Sequence, residues 1–200
     1  MARRDHVIGI TGNIASGKSV VLGMLADLGA ETIDADQLVH KRMGPGSELA
    51  GAIEAEFGSD VINPDRSINR PALGEVVFGD PEKLERLEEI IHPAVVSAML
   101  SAIESAGPPV LVLDAIKLFE AGIADHCDEV WVIDADRDTR IERLMQRNGF
   151  DREQAKTRVD AQPPQREKVE RATIVIDNSG SLEDTRAQVE AEWRRLTGDV

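Results

Sequence analysis

Apolar residues fall into two rhythms along this chain. Short unbroken runs have the length and β-branched content of strands buried on both faces: Val7-Ile8-Gly9-Ile10-Thr11, Val110-Leu111-Val112-Leu113-Asp114, Val130-Trp131-Val132-Ile133-Asp134 and Ile174-Val175-Ile176-Asp177. Residues 30–34 read as a further strand, followed by Ala35-Asp36 and a short helix to about Met43. Between the runs, apolar positions recur at spacings of three and four, the period of a one-faced helix. Such stripes are Val21, Met24, Leu25 and Leu28 before Gly29; Ala50, Ile53 and Phe57; and Leu73, Val76, Val77 and Phe78. Others are Leu84, Leu87, Ile91, Val95 and Met99; Ile141, Leu144 and Met145; and Leu182, Val189, Trp193 and Leu196. Thr139 with Glu142 and Ser181 with Asp184 have the spacing of capping pairs. Pro93 interrupts its stripe, so the helix should end near His92 and restart with Pro93 in its first turn.

Strands alternating with helices predict an α/β fold, a parallel sheet with helices on both faces. Gly44-Pro45-Gly46-Ser47 breaks the alternation, and residues 47–106 hold no buried parallel strand. That stretch reads as a helical insert, a candidate acceptor-binding subdomain within one domain spanning 1–200. Residues 140–168 read as a small helical lid.

The first run leads into Gly12-Asn13-Ile14-Ala15-Ser16-Gly17-Lys18-Ser19, which fits G-x-x-x-x-G-K-[ST]. Strand, glycine-rich turn and helix are the context this motif requires. Glycines let backbone N–H groups turn inward around a polyphosphate, and the new helix offers its unpaired amides and positive end. Lys18 adds a point charge, and the Ser19 hydroxyl is a Mg²⁺ ligand. Gly12, Asn13, Ala15, Ser16, Gly17, Lys18, Ser19 and Val20 are therefore the candidate nucleotide-binding residues. Asp34 and Asp36 stand where a strand gives way to a helix, the edge at which open α/β sheets bind ligands. Taken alone, Asp36 reads equally as a helix N-cap. Asp114 closes an apolar strand in the Walker-B manner and is a candidate metal contact. Arg140, Arg143 and Arg147 share one helix flank, and Arg152, Lys156, Arg158, Arg166 and Lys168 follow, interleaved with carboxylates. They read either as a salt-bridged face or as a lid that brings cations to a phosphoryl group.

The formal net charge of −14 argues against a nucleic-acid-wrapping or anionic-membrane surface, so an anionic ligand must be held by a local cationic cluster. Cys127 is the single cysteine, which excludes an intramolecular disulfide and suits a reducing cytoplasm. No apolar run is long enough to span a membrane, and Arg3-Arg4 do not introduce a secretory signal.

These elements together resemble the dephospho-CoA kinase family. The matching stretches are Gly9-Ile10-Thr11-Gly12 with the phosphate loop, Asp34-Ala35-Asp36, Asn69-Arg70 with Leu73 and Val77-Phe78, and Ile91-His92-Pro93. They continue with Asp114 and Leu118-Phe119-Glu120, Arg140 to Arg147 as spaced, Ala161-Gln162, and Ile176-Asp177-Asn178 with Gly180. Two features depart from the family: Ile116-Lys117 replace Pro-Leu, and the lid carries Pro163-Pro164. The resemblance implies a P-loop kinase using ATP and Mg²⁺ that phosphorylates the ribose 3′-hydroxyl of dephospho-CoA. It implies that Asp36 is the base, with Asp34 beside it, and that Lys18 and the lid arginines, Arg147 first, spread the developing charge. It implies that Asn178 and Gly180 lie along adenine, and that Arg70, His92 and Leu118 hold the acceptor. It further implies a cytoplasmic monomer or weak homo-oligomer. Two other readings remain open on the residues: another small-metabolite P-loop kinase, which Ile116-Lys117 permits, and an ATP-binding regulatory module, which Asp36 and the insert disfavour.

Overall fold

The computed structural model describes residues 5–35, 37–38, 44–105 and 107–198. The helix expected between Asp36 and Met43, and Asp36 itself, thus fall largely outside the described residues. Two compact units emerge, Met1–Ile33 with Ile103–Val200, and Asp34–Ala102.

The first unit is built on a five-stranded sheet in the order β2-β3-β1-β4-β5. Its strands are β1 (His6–Thr11), β2 (Glu31–Asp34), β3 (Val110–Asp114), β4 (Glu129–Asp134) and β5 (Ile174–Asp177). β1 runs parallel to both β3 and β4, and β4 parallel to β5. The register sets Ile10 opposite Asp114, Thr11 opposite Val132 and Asp134 opposite Asp177. The carboxyl ends of these strands therefore share one edge. Leu111, Val112, Leu113, Trp131, Val132 and Ile133 are all fully buried, the signature of strands covered on both faces. Val21, Met24 and Leu25 of α1 (Lys18–Asp27), and Val189 and Trp193 of α8 (Leu182–Thr197), pack on that core.

Most stripes fold as read, and Ser181 with Asp184 forms its capping box. Leu182 is an exception: it is exposed, because the first helical residue precedes the turn that faces the sheet. α5 (Arg137–Asn148) starts earlier than expected. Its cap is Asp136, whose carboxylate accepts both the N–H and the hydroxyl of Thr139, so Thr139 is no longer free to cap. α6 (Arg152–Asp160) carries a capping box from Asp151 and Gln154, and the short α7 (Gln165–Val169) follows Pro164. Ile141, Leu144, Ala155 and Val159 form a small core against which Ile14 and Ala15 pack, so α5 and α6 share apolar contacts with the phosphate loop.

The second unit is helical. Its α2 (Glu48–Phe57) is capped by Ser47 and α3 (Arg70–Val77) by Asn69. Its core comprises Leu49, Ala50, Ile53, Val61, Ile68, Leu73, Val77 and Leu87. Two expectations are corrected here. α4 runs unbroken from Pro81 to Glu104 with Pro93 inside it. Proline in a helix interior costs ~3 kcal/mol, but Leu84, Ile90, Ile91 and Ala94 pack on the core on both sides of it and hold the helix together. Phe78 lies outside the core at 81% exposure, since α3 ends at Val77 and the last turn no longer carries it inward.

Candidate active site

The phosphate loop leaves β1 at the sheet's carboxyl edge and enters α1. Gly17 takes φ +90°, and a Cβ there would collide with the side-chain amide of Asn178. At Gly12 a Cβ would lie 2.6 Å from the Ser16 hydroxyl and 2.7 Å from the Ile133 carbonyl oxygen. Glycine is thus required at the two motif positions by conformation and by close approach. Ala15 also sits in the left-handed region, at φ 61°, which costs a residue with a Cβ about 1–2 kcal/mol. Among the described residues, the backbone amides of Ala15, Gly17, Lys18 and Ser19 have no acceptor. That is the donor set a polyphosphate requires. Lys18 forms an ion pair with Asp114, both largely buried, joining the start of α1 to the end of β3. Ser19 is exposed on the first helical turn. The Ser19 hydroxyl and the Asp114 carboxylate are hard-oxygen donors of the kind Mg²⁺ accepts.

The back of the loop is bolted down. Arg143 donates to the carbonyls of Ser16 (3.3 Å) and Asn178 (2.7 Å). Asn178 is 1% exposed, donates from its side-chain nitrogen to the Ser16 carbonyl at 2.7 Å, and accepts the Thr185 hydroxyl at 2.8 Å. From the end of α6 and the start of α7, the Gln162 side-chain oxygen accepts the Ile14 N–H (2.6 Å) and that of Gln165 accepts the Asn13 N–H (3.1 Å). Lys168 donates to the Ile116 carbonyl, which also accepts the Thr11 hydroxyl. Burial pushes the Lys168 pKa down, and the charge of nearby Lys18 pushes the same way.

Leu118 is placed otherwise than expected. Leu118, expected in the acceptor site, is fully buried because the turn after β3 folds back over β1; a Cβ on Gly9 would lie 2.9 Å from it. Arg147 is exposed, and its Nε donates to the neighbouring Asn148 side chain. Asp34 caps the turn that follows it, accepting the Gln37 N–H at 3.1 Å. Arg70 and His92 are exposed on the second unit. Asp36 lies outside the described residues. Gly180 and Val20 are exposed on the first unit. Sequence reasoning missed Gln165 and Thr185 altogether and left the target of Arg143 open. Thr185 alone carried a signal, four residues beyond the capping Ser181.

A parallel sheet with an amide cradle at its carboxyl edge, a lysine held by a strand-end aspartate, and basic helices packed on the loop define a P-loop phosphotransferase. A family model described as dephospho-CoA kinase matches residues 6–184. A dephospho-CoA kinase from Symbiobacterium thermophilum is 47% identical over 196 residues, 96% of this chain and 82% of the relative. A solved dephospho-CoA kinase from Campylobacter jejuni superposes with a TM-score of 0.71 at 27% identity, over 97% of this chain and 98% of that one. A Thermus thermophilus structure aligns with a TM-score of 0.79 at 34% identity, covering 98% of this chain and 100% of the other. The chain belongs to the dephospho-CoA kinase family.

Proposed function

We infer that this chain uses ATP to phosphorylate the ribose 3′-hydroxyl of dephospho-CoA, giving coenzyme A and ADP in the last step of coenzyme A biosynthesis. The observation that carries the reading is the Lys18–Asp114 pair set beside four unpaired amides at the sheet's carboxyl edge. Those amides bind the nucleotide's phosphates from the loop side, and Lys18 neutralises charge on the outer phosphates. Gly12, Asn13, Ser16 and Val20 complete the loop. Asn178 acts on the nucleotide through the loop it pins, and Gly180 leads the chain past the base. When bound, Mg²⁺ would supply Lewis-acid neutralisation of phosphate charge, and Ser19 and Asp114 are the residues that would hold it.

The ribose hydroxyl is a poor nucleophile until a carboxylate accepts its hydrogen bond and then its proton. Asp36, two residues beyond β2, takes that role; a positioned base contributes about 10²–10⁴-fold. Asp34 steadies the turn that carries it. Arg70 and His92, exposed on the helical unit, bind the acceptor. Arg147 and Lys168 supply cations as charge spreads over the phosphoryl oxygens, and water exclusion by the lid favours transfer over hydrolysis. The same reading makes the chain a cytoplasmic monomer or weak homo-oligomer. The net charge of −14 supports it, since like-charged surfaces repel.

The test is a coupled ADP-release assay with dephospho-CoA against a panel of nucleosides, nucleoside monophosphates and sugars. Dephospho-CoA should be preferred by at least ~10²-fold in kcat/KM, inside the ~10⁴–10⁵-fold that a site built to hydrogen-bond its substrate reaches. Faster turnover of a nucleoside monophosphate would overturn the acceptor assignment.

A further inference from the structure

The phosphate loop is gripped by a segment that the kinase mechanism leaves unused, Gln162-Pro163-Pro164-Gln165. Its contacts are dense and converge on two residues. The Ile14 N–H donates to Gln162 Oε1 at 2.6 Å. The Asn13 N–H donates to Gln165 Oε1 at 3.1 Å, and Asn13 Nδ2 donates to the Pro163 carbonyl at 2.9 Å. Gln165 Nε2 in turn donates to the Ile133 carbonyl at 2.8 Å. Asn13 is buried by these contacts.

The arrangement has a simple topological meaning. Regular pairing between β1 and β4 ends with Thr11 opposite Val132. Beyond that rung the chain turns out of the ladder into the loop. The primary amide of Gln165 fills the gap: it accepts the N–H of residue 13 and donates to the carbonyl of residue 133. The side chain acts as one inserted rung that continues the ladder into the loop. The two prolines make that rung stiff. Their rings fix φ and they carry no N–H, so the two glutamines are displayed at a set separation with little freedom to lose.

We propose that Gln165, seconded by Gln162 across the Pro163-Pro164 spacer, is a positioning residue that holds the phosphate loop in its phosphate-ready shape. Gln165 takes up the Asn13 amide and Gln162 that of Ile14, which leaves those of Ala15, Gly17, Lys18 and Ser19 for the ligand. The pair also holds the entry to Ala15, whose left-handed backbone persists only where its surroundings over-determine it. The proposal rests on the reading that this loop binds nucleotide phosphates. It extends that reading by assigning the loop's preorganisation to a side chain 152 residues away.

The experiment uses the full chain and compares wild type with Gln165→Leu and Gln165→Met. ADP and adenosine binding are measured by calorimetry, kcat and KM for both substrates by ADP release, and amide exchange at Asn13 and Ile14 by mass spectrometry. Both variants remove the rung while keeping similar bulk. The expected result is a roughly tenfold rise in Kd for ADP and KM for ATP, with at least tenfold faster exchange at Asn13, as preorganisation is lost. Adenosine affinity and KM for dephospho-CoA stay within twofold. ADP affinity equal to wild type in both variants would overturn the proposal, as would equal losses for ADP and adenosine, which would mark general damage to the fold. If Gln165→Leu fails to fold, Gln165→Met decides alone on the same readouts. A wild-type chain that binds no ADP would overturn the nucleotide reading and this proposal with it; wild-type binding with unaffected variants overturns this proposal only.

Discussion

Gly17 and Asn178 should be coupled, and the structure lets the coupling be worked out before it is measured. Gly17→Ala has two costs. An alanine at φ +90° gives up about 1–2 kcal/mol of backbone energy. Its Cβ also evicts the Asn178 side chain, which breaks the bonds to the Ser16 carbonyl and the Thr185 hydroxyl. Each buried group left unsatisfied costs roughly 1–3 kcal/mol. The lower part of that range applies here, because Arg143 still reaches the Ser16 carbonyl and Thr185 can turn to Ser181. The eviction therefore costs about 2–3 kcal/mol, and the whole substitution about 3–5. Asn178→Ala loses the same two bonds, again about 2–3 kcal/mol. In the double variant the bonds are lost once and the clash is gone, so the total should be about 3–5 kcal/mol, not the additive 5–8. The resulting coupling is about 2–3 kcal/mol. Urea unfolding followed by tryptophan fluorescence measures it, since Trp131 and Trp193 are both buried in the first unit's core. Additivity within about 0.5 kcal/mol would refute the close approach on which the reasoning stands.

Asp36→Asn should keep ADP affinity within about threefold and lower kcat by ~10² or more; a turnover near wild type would reduce Asp36 to a helix cap. Burial pushes the Cys127 thiol from an ordinary 9.0 up to about 12. Its thiolate fraction at pH 8 should thus be ~10³-fold below that of an exposed cysteine, and iodoacetamide labelling followed by mass spectrometry should be correspondingly slow until the chain is denatured. Asp134 is held above the usual carboxylate range, first by burial and against the pull of the Ala135 N–H and the Arg140 charge. The folded chain thus binds this proton more tightly than the unfolded one, so the group's contribution to stability falls as pH rises through the window above 3.8. Arg140→Leu should raise the Asp134 pKa further and steepen that fall; an unmoved Asp134 titration by carbon NMR would refute it.

What the sequence revealed, and what it hid, follows from the range of the interactions involved. The loop from Gly12 to Ser19 is local: its spacing and the strand before it dictate its shape, so it could be read without a structure. The strands were legible because burial on both faces leaves unbroken apolar runs such as Val110 to Leu113. Asp136 was missed as a cap because Thr139, three residues on, offered the same chemistry. Phe78 and Leu182 matched their stripes in period, but each stands at a helix end where the period no longer decides facing. Leu118 and Gln165 were beyond reach for another reason. Each is defined by a partner more than a hundred residues away, Leu118 over Gly9 and Gln165 on Asn13, and no local pattern encodes such a meeting.

The strand order bears on how the polypeptide is made. β1 leaves the ribosome first, yet its partners β3 and β4 begin only at Val110 and Glu129. At the usual ~5–20 residues per second, the segment bearing the phosphate loop waits about 5–20 s for a neighbour. The helical unit, a continuous stretch from Asp34 to Ala102, has all its internal contacts available meanwhile. The nucleotide cradle therefore takes shape after the helical unit, and an apolar strand awaiting its mates is a stretch in need of chaperone cover during synthesis.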